Sequence, residues 1–93
     1  DAQKILYTAR WYESVGNPIA AELTMRRLIA KYPRTVATAD GLRWIPNLLP
    51  QLPAVTLESA PNYAELRKAI LGIDDSASPQ ADAAPSTNKD GAS

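Results

Sequence analysis

The chain has 93 residues, ten of them basic and ten acidic, and it contains neither Cys nor His. A chain of this length forms one small domain at most. The lack of Cys excludes a disulfide framework and thiolate metal sites, and the lack of His removes the commonest general base and zinc ligand. No apolar run approaches the roughly 20 residues of a membrane span.

The C-terminal end differs in composition from the rest of the chain. Residues 74–93 contain no Val, Ile, Leu, Met or aromatic side chain and are rich in Ala, Ser, Pro and Asp. Such a segment cannot bury enough apolar surface to offset the entropy of ordering it. We therefore expect a helical domain, residues 1–73, followed by a disordered tail, residues 74–93, that acts as a linker, a short recognition segment or a solubilising end.

The apolar pattern predicts an all-α fold that opens with a helical hairpin. A first helix is expected from about Gln3 to Val15, and Gly16 supplies the turn conformation that ends it. Asn17 is placed to cap a second helix, roughly residues 18–31, that starts at a proline. The apolar stripe of the first helix is Ile5, Leu6, Ala9 and Tyr12.

The second helix has one apolar side and one charged side. Its expected inner face consists of Ala21, Met25, Leu28 and Tyr32, widened by Ile19, Leu23 and Ile29. Glu22 and Arg26 are spaced for an ion pair, which we place on the outer side of the helix.

Prolines complicate the middle of the chain. Thr35 or Thr38 caps a third helix, whose expected inner face is Val36, Ala39, Leu42 and Ile45. Because Pro46 removes a backbone donor, we expect this helix to stop or kink near Trp44–Ile45. Residues 46–57 are predicted to be irregular or a short helical turn, held by Leu48, Leu49 and Leu52.

A final helix is signalled by Asn62 and Glu65, which have the spacing of a capping box. Its apolar side chains are Tyr63, Leu66 and Ile70, and Gly72 ends it.

The hairpin has the spacing of a tetratricopeptide repeat. Ala9, Tyr12, Gly16, Ala21 and Pro33 fall at the intervals of that motif, with small residues where two helices approach closely. At three other positions the residues differ from those typical of the motif: they are Thr8, Met25 and Leu28. An ordinary helical hairpin is the alternative interpretation.

Three runs resemble the last repeat of BamD-type lipoproteins of the bacterial outer-membrane β-barrel assembly machinery. They are Trp11-Tyr12-x-x-x-Gly16, Tyr32-Pro33-Arg34-Thr35 and Ala37-Thr38-x-Asp40-x-Leu42, within about residues 5–45. The resemblance implies a periplasmic, non-enzymatic scaffold that binds the barrel-assembly protein and accessory lipoproteins. It also implies a lipid anchor upstream of Asp1. Because the chain begins at Asp1 and not at Met, we expect it to be a processed product or a fragment. The prolines at 46, 50 and 53 depart from the family.

By that resemblance the second-helix surface is the expected region of partner contact. Residues singled out for partner binding are Thr24, Arg27, Lys31, Arg34 and Trp44. Packing in the core is the alternative for Trp44, and a solvated helix end is the alternative for the cations. No cofactor, metal or catalytic residue is expected, because no Ser has a base at motif spacing and the carboxylates form no ligand pattern. Two other functions remain open: a different tetratricopeptide adaptor that binds peptides, and a small basic nucleic-acid binder.

Overall fold

The computed structural model describes residues 1–75, and over this range it contains α-helices and no strand. The helices are α1 (Ala2–Ser14), α2 (Pro18–Lys31), α3 (Val36–Leu48), α4 (Ala54–Ser59) and α5 (Tyr63–Leu71), with a 3-10 turn at Leu49–Gln51. The predicted all-α fold is therefore confirmed. The disordered tail predicted for residues 74–93 lies outside the described residues, apart from Asp74 and Asp75.

The hairpin of α1 and α2 is capped where the sequence predicted. The Asn17 side chain accepts a hydrogen bond from the Ala20 amide at 3.2 Å, which satisfies one of the free donors at the start of α2. Gly16 has a φ of 81°, a left-handed conformation that a side chain would disfavour. Ala9 and Ala21 are fully buried, as expected of small residues at a close helix contact.

Gly41 of α3 lies where the first three helices meet. A Cβ at this position would stand 2.7 Å from the Met25 Sδ and Cε atoms of α2 and 3.3 Å from the Leu6 Cδ1 atom of α1. Any larger residue would overlap the thioether. Gly41 therefore lets α3 approach the hairpin closely, a role that the sequence analysis did not assign.

The third helix is predicted to stop or kink near Trp44–Ile45, and the structure shows that it does not stop there but continues through Pro46 to Leu48. Pro46 lies in its last turn and is exposed, so one backbone donor is lost while Ile45 and Leu48 stay fully buried. At the other end the Thr35 hydroxyl accepts from the Thr38 amide at 3.2 Å, which makes Thr35 the cap.

The inner face of α3 is rotated from the predicted one. Val36 is exposed, whereas Leu42 and Ile45 are buried as expected. The buried residues of α3 are Ala37, Thr38, Gly41, Leu42, Trp44, Ile45 and Leu48.

Prolines begin the short elements that follow. Pro50 lies in the 3-10 turn, and Pro53 directly precedes α4, where a missing amide hydrogen costs nothing within the helix. Leu48 and Leu52 are buried and hold this segment, as predicted. A helix of six residues at Ala54–Ser59 replaces the irregular stretch or single turn expected there.

Residues 1–63 form one compact unit, and the second unit begins at Ala64. Within the second unit, Gly72 has a φ of 72° and follows the last residue of α5, as predicted. Asp75 accepts a hydrogen bond from the Arg67 Nε at 2.8 Å. The two residues form an ion pair, although Asp75 lies two positions beyond residue 73, where the helical domain is predicted to end.

Candidate functional site

The inner side of α2 carries a charge that the sequence analysis placed on the outside. The Glu22 side chain is fully buried, so the prediction of an outer Glu22–Arg26 pair is wrong in its location. The pair itself is present: Arg26 Nε donates to the Glu22 Oε2 at 2.7 Å, and Arg26 Nη2 lies 2.6 Å from Oε1. The Tyr63 hydroxyl also donates to Oε2, at 2.7 Å.

These three side chains form what we call the Glu22 network (Glu22, Arg26, Tyr63). Arg26 extends it to α4, because its Nη2 donates to the Thr56 carbonyl and to the Ser59 hydroxyl, each at 3.2 Å. The hydrogen bond to Glu22 raises the pKa of Arg26. Burial, and then the hydrogen bond to the Glu22 carboxylate, raises the pKa of Tyr63 well above its ordinary value. The network therefore joins α2 to α4 and to Tyr63.

The outer side of α2 presents a row of four residues spaced four apart, which we call the α2 stripe (Ile19, Leu23, Arg27, Lys31). All four are exposed, and Leu23 retains 49% of its accessible surface. The predicted inner face of α2 is confirmed for Ala21, Met25 and Leu28, which are fully buried. The prediction that Ile19 and Leu23 widen this face is wrong, because Glu22 and Thr24 are buried beside it and these two apolar side chains face solvent.

The cations predicted to bind a partner lie on or near this stripe. Arg27, Lys31 and Arg34 are exposed. Among residues 1–75, the ion pairs engage Arg26, Arg43 and Arg67, and none reaches these three cations. Lys31 lies in the last turn of α2, where a cation favours the helix dipole. Whether the three cations contact a partner stays a prediction.

Two of the predicted contact residues are not available at the surface. Thr24 is buried, and its hydroxyl donates to the Ala20 carbonyl at 2.7 Å within the helix. Trp44 is only 7% exposed. It therefore packs in the core, as the alternative interpretation predicts, and is not an exposed anchor for a partner. Its Nε1 donates to the Glu13 Oε1 at 3.0 Å, which satisfies the buried indole.

Within residues 1–75 no group of three or more acidic, His or Cys side chains is placed to hold a metal ion. The same part of the chain has no helix whose length and apolar character would let it span a membrane. Comparison with protein-family models, curated proteins and solved structures gives no match for this chain.

Proposed function

We propose that this protein is a non-enzymatic scaffold for protein–protein interaction and that the α2 stripe is its docking surface. One observation carries the proposal: two apolar side chains and two unpaired cations share one exposed row of a helix. A face that only met water would not be expected to place Ile19 and Leu23 in line with Arg27 and Lys31.

The composition of the stripe fits a protein partner. Protein interfaces combine apolar contact area with charges that steer association and fix register. The Glu22 network on the opposite side of α2 adds rigidity, because Arg26 joins the helix to Thr56 and Ser59. A rigid surface loses less conformational entropy when it binds.

The resemblance to BamD-type lipoproteins supplies the partner and the compartment of this proposal. The scaffold would act at the periplasmic face of the bacterial outer membrane, bound to the barrel-assembly protein or its accessory lipoproteins. Association with the membrane would come only from a lipid anchor upstream of Asp1. A different tetratricopeptide adaptor is the second candidate. Nucleic-acid binding is less favoured. Of the four cations between residues 26 and 34, Arg26 is paired inward, which leaves Arg27, Lys31 and Arg34 free of an ion pair within the described part of the chain.

A pull-down from a bacterial envelope extract tests this function. The full-length protein serves as bait, and mass spectrometry identifies what it retains. We expect a component of the barrel-assembly machinery, and we expect the double variant R27E/K31E to retain about tenfold less, since loss of ~1.4 kcal/mol of binding free energy is a factor of ten. The control is K68E, a charge reversal at an exposed residue of α5 that is not part of the stripe. Recovery of no barrel-assembly component, or equal recovery with R27E/K31E, would overturn the proposal.

A further inference from the structure

Helix α1 carries a second surface, separate from the α2 stripe. A groove of about 470 Å³ runs along it, lined by Gln3, Leu6, Tyr7, Arg10, Trp11 and Ser14. We call it the α1 groove. Leu6 is buried at its base, whereas Tyr7 and Trp11 are 74% and 50% exposed. Tyr and Trp are the residue types that most often anchor a protein interface, and here they lie side by side above a buried Leu.

Arg10 is the only charged residue that lines the groove, and the structure holds it in place. Its guanidinium carbon lies 5.9 Å from the centre of the Trp44 ring, a cation–π contact. The Trp44 ring is fixed in turn by the hydrogen bond from its Nε1 to the Glu13 Oε1. Arg10 is therefore positioned in advance without being neutralised.

The nearest acid along the helix is already engaged. Glu13 accepts from Trp44 with one oxygen and from the Gln51 Nε2, at 2.9 Å, with the other. Among the described residues no carboxylate lies within ion-pair distance of Arg10. The groove thus offers apolar walls and one unpaired cation, which complements an apolar partner that carries a carboxylate.

We propose that the α1 groove binds an amphipathic helix of another protein, with an apolar ridge and an Asp or Glu placed to pair with Arg10. The backbone groups of α1 are used within the helix, so the groove has no free edge for an extended peptide to pair with. A bound helix needs no such edge, because its backbone hydrogen bonds are already formed within the helix. From Gln3 to Ser14 the groove is about 16 Å long, which suits three turns of a helix.

A second copy of this chain fits the groove less well. The same face of a second molecule has aromatic rings and another Arg10 but no carboxylate among its lining residues. A symmetric contact would bring two cationic faces together and leave both Arg10 side chains without an acid. Charge complementarity therefore selects a different, acidic partner.

A display experiment tests the groove directly. A library of 16-residue helical peptides, with random residues along one face, is selected against the immobilised 93-residue protein. We expect the enriched peptides to share apolar residues three or four apart and at least one Asp or Glu. The tightest of them, made synthetically, should bind R10E and W11A at least tenfold more weakly than the unchanged protein, and a library selected on R10E should favour Lys or Arg.

The matched control is K4E, the same charge reversal at an exposed residue of α1 that does not line the groove. It should change the affinity less than twofold, and circular dichroism confirms that each variant is folded. Enrichment of no peptide above a blank surface would overturn the proposal, as would enriched peptides without an acid or equal binding to folded R10E. The groove and the α2 stripe are tested by different variants, so failure of one result is separable from failure of the other.

Discussion

At the residue scale, Glu22 behaves unlike a surface carboxylate. Transfer of an ionised carboxylate out of water is costly unless a cation and hydrogen bonds replace the water. Here Arg26 provides the cation and Tyr63 a further donor, and all three groups lie at contact distance. Glu22 therefore needs both partners, because removal of either leaves the buried carboxylate with less compensation.

Replacement of Glu22 by Ala should destabilise the protein by about 3 kcal/mol, since it removes the counter-charge of Arg26 and leaves the buried Tyr63 hydroxyl without its acceptor. Urea unfolding followed by circular dichroism measures the loss. The matched control, E58A, removes an exposed carboxylate of α4 and should change the free energy of unfolding by less than ~0.5 kcal/mol. Equal effects would show that the buried carboxylate contributes nothing.

Tyr63 predicts a pH dependence with a definite sign. Its pKa is raised above the ordinary value of 10.0, so the folded protein keeps the phenol proton at a pH where the unfolded chain loses it. This contribution to stability is fully present below about pH 10 and falls by up to about 1.4 kcal/mol per pH unit above it. Urea unfolding between about pH 9 and pH 11 should show a steeper decline for the unchanged protein than for Y63F. Parallel declines would contradict this assignment.

At the element scale, the approach of α3 to the hairpin depends on a residue with no side chain. Helix preference alone disfavours Gly41, by about 1 kcal/mol relative to Ala. The space occupied by Met25 explains why glycine stands there. At this position the close packing of three helices outweighs the preference of an isolated helix for Ala over Gly.

Gly41→Ala should therefore have an effect that depends on Met25. In the unchanged protein the added methyl overlaps the thioether, and we expect a net loss of about 1 kcal/mol once the gain in helix preference is subtracted. In the M25V background, where Sδ and Cε are absent, the same change should stabilise by up to ~1 kcal/mol. A double-mutant cycle of urea unfolding gives both values. The same sign in both backgrounds would mean that Met25 does not set the constraint.

Helix ends were easier to predict than helix faces. Asn17, Gly16 and Gly72 act through their own backbone and side-chain chemistry, which the local sequence contains. The inner side of α2 depends on Tyr63, which lies 41 positions from Glu22 and gives no local signal. The third helix is predicted to stop or kink near Pro46, but it continues to Leu48 because the buried residues on either side of Pro46 outweigh one lost hydrogen bond.

The candidate site was predicted only in part for the same reason. Arg27, Lys31 and Arg34 are exposed, as a charged helix face suggests. Ile19 and Leu23 are exposed because Glu22 and Thr24, rather than these two apolar residues, widen the buried face of α2. Burial of Trp44 follows from its contacts with Glu13 and Arg10, on a helix distant in sequence. Apolar periodicity finds the centre of a helix face but not its edges when a charged side chain such as Glu22 is buried beside it.

At the scale of the whole molecule, the sequence predicts that the tail contributes no apolar side chain larger than Ala or Pro to the core. A chain that ends after Asp75 should therefore keep the helical signal and the unfolding midpoint of the full chain. A chain that ends after Gly72 is the matched comparison, because it also loses the Arg67–Asp75 ion pair and should be slightly less stable. A lower midpoint for the chain that ends after Asp75 would show that residues 76–93 stabilise the fold.

The long reach of the Glu22 network also implies an order of assembly. Helices α1 and α2 are joined by three residues, so they meet after a short loop closes, whereas Glu22 receives its hydrogen bond from Tyr63 only after a much longer loop has closed. Short loops close sooner and at lower entropic cost. During synthesis residues 2–31 of the hairpin are added well before residue 63. Until Tyr63 arrives, the nascent hairpin holds a carboxylate that lacks its last donor.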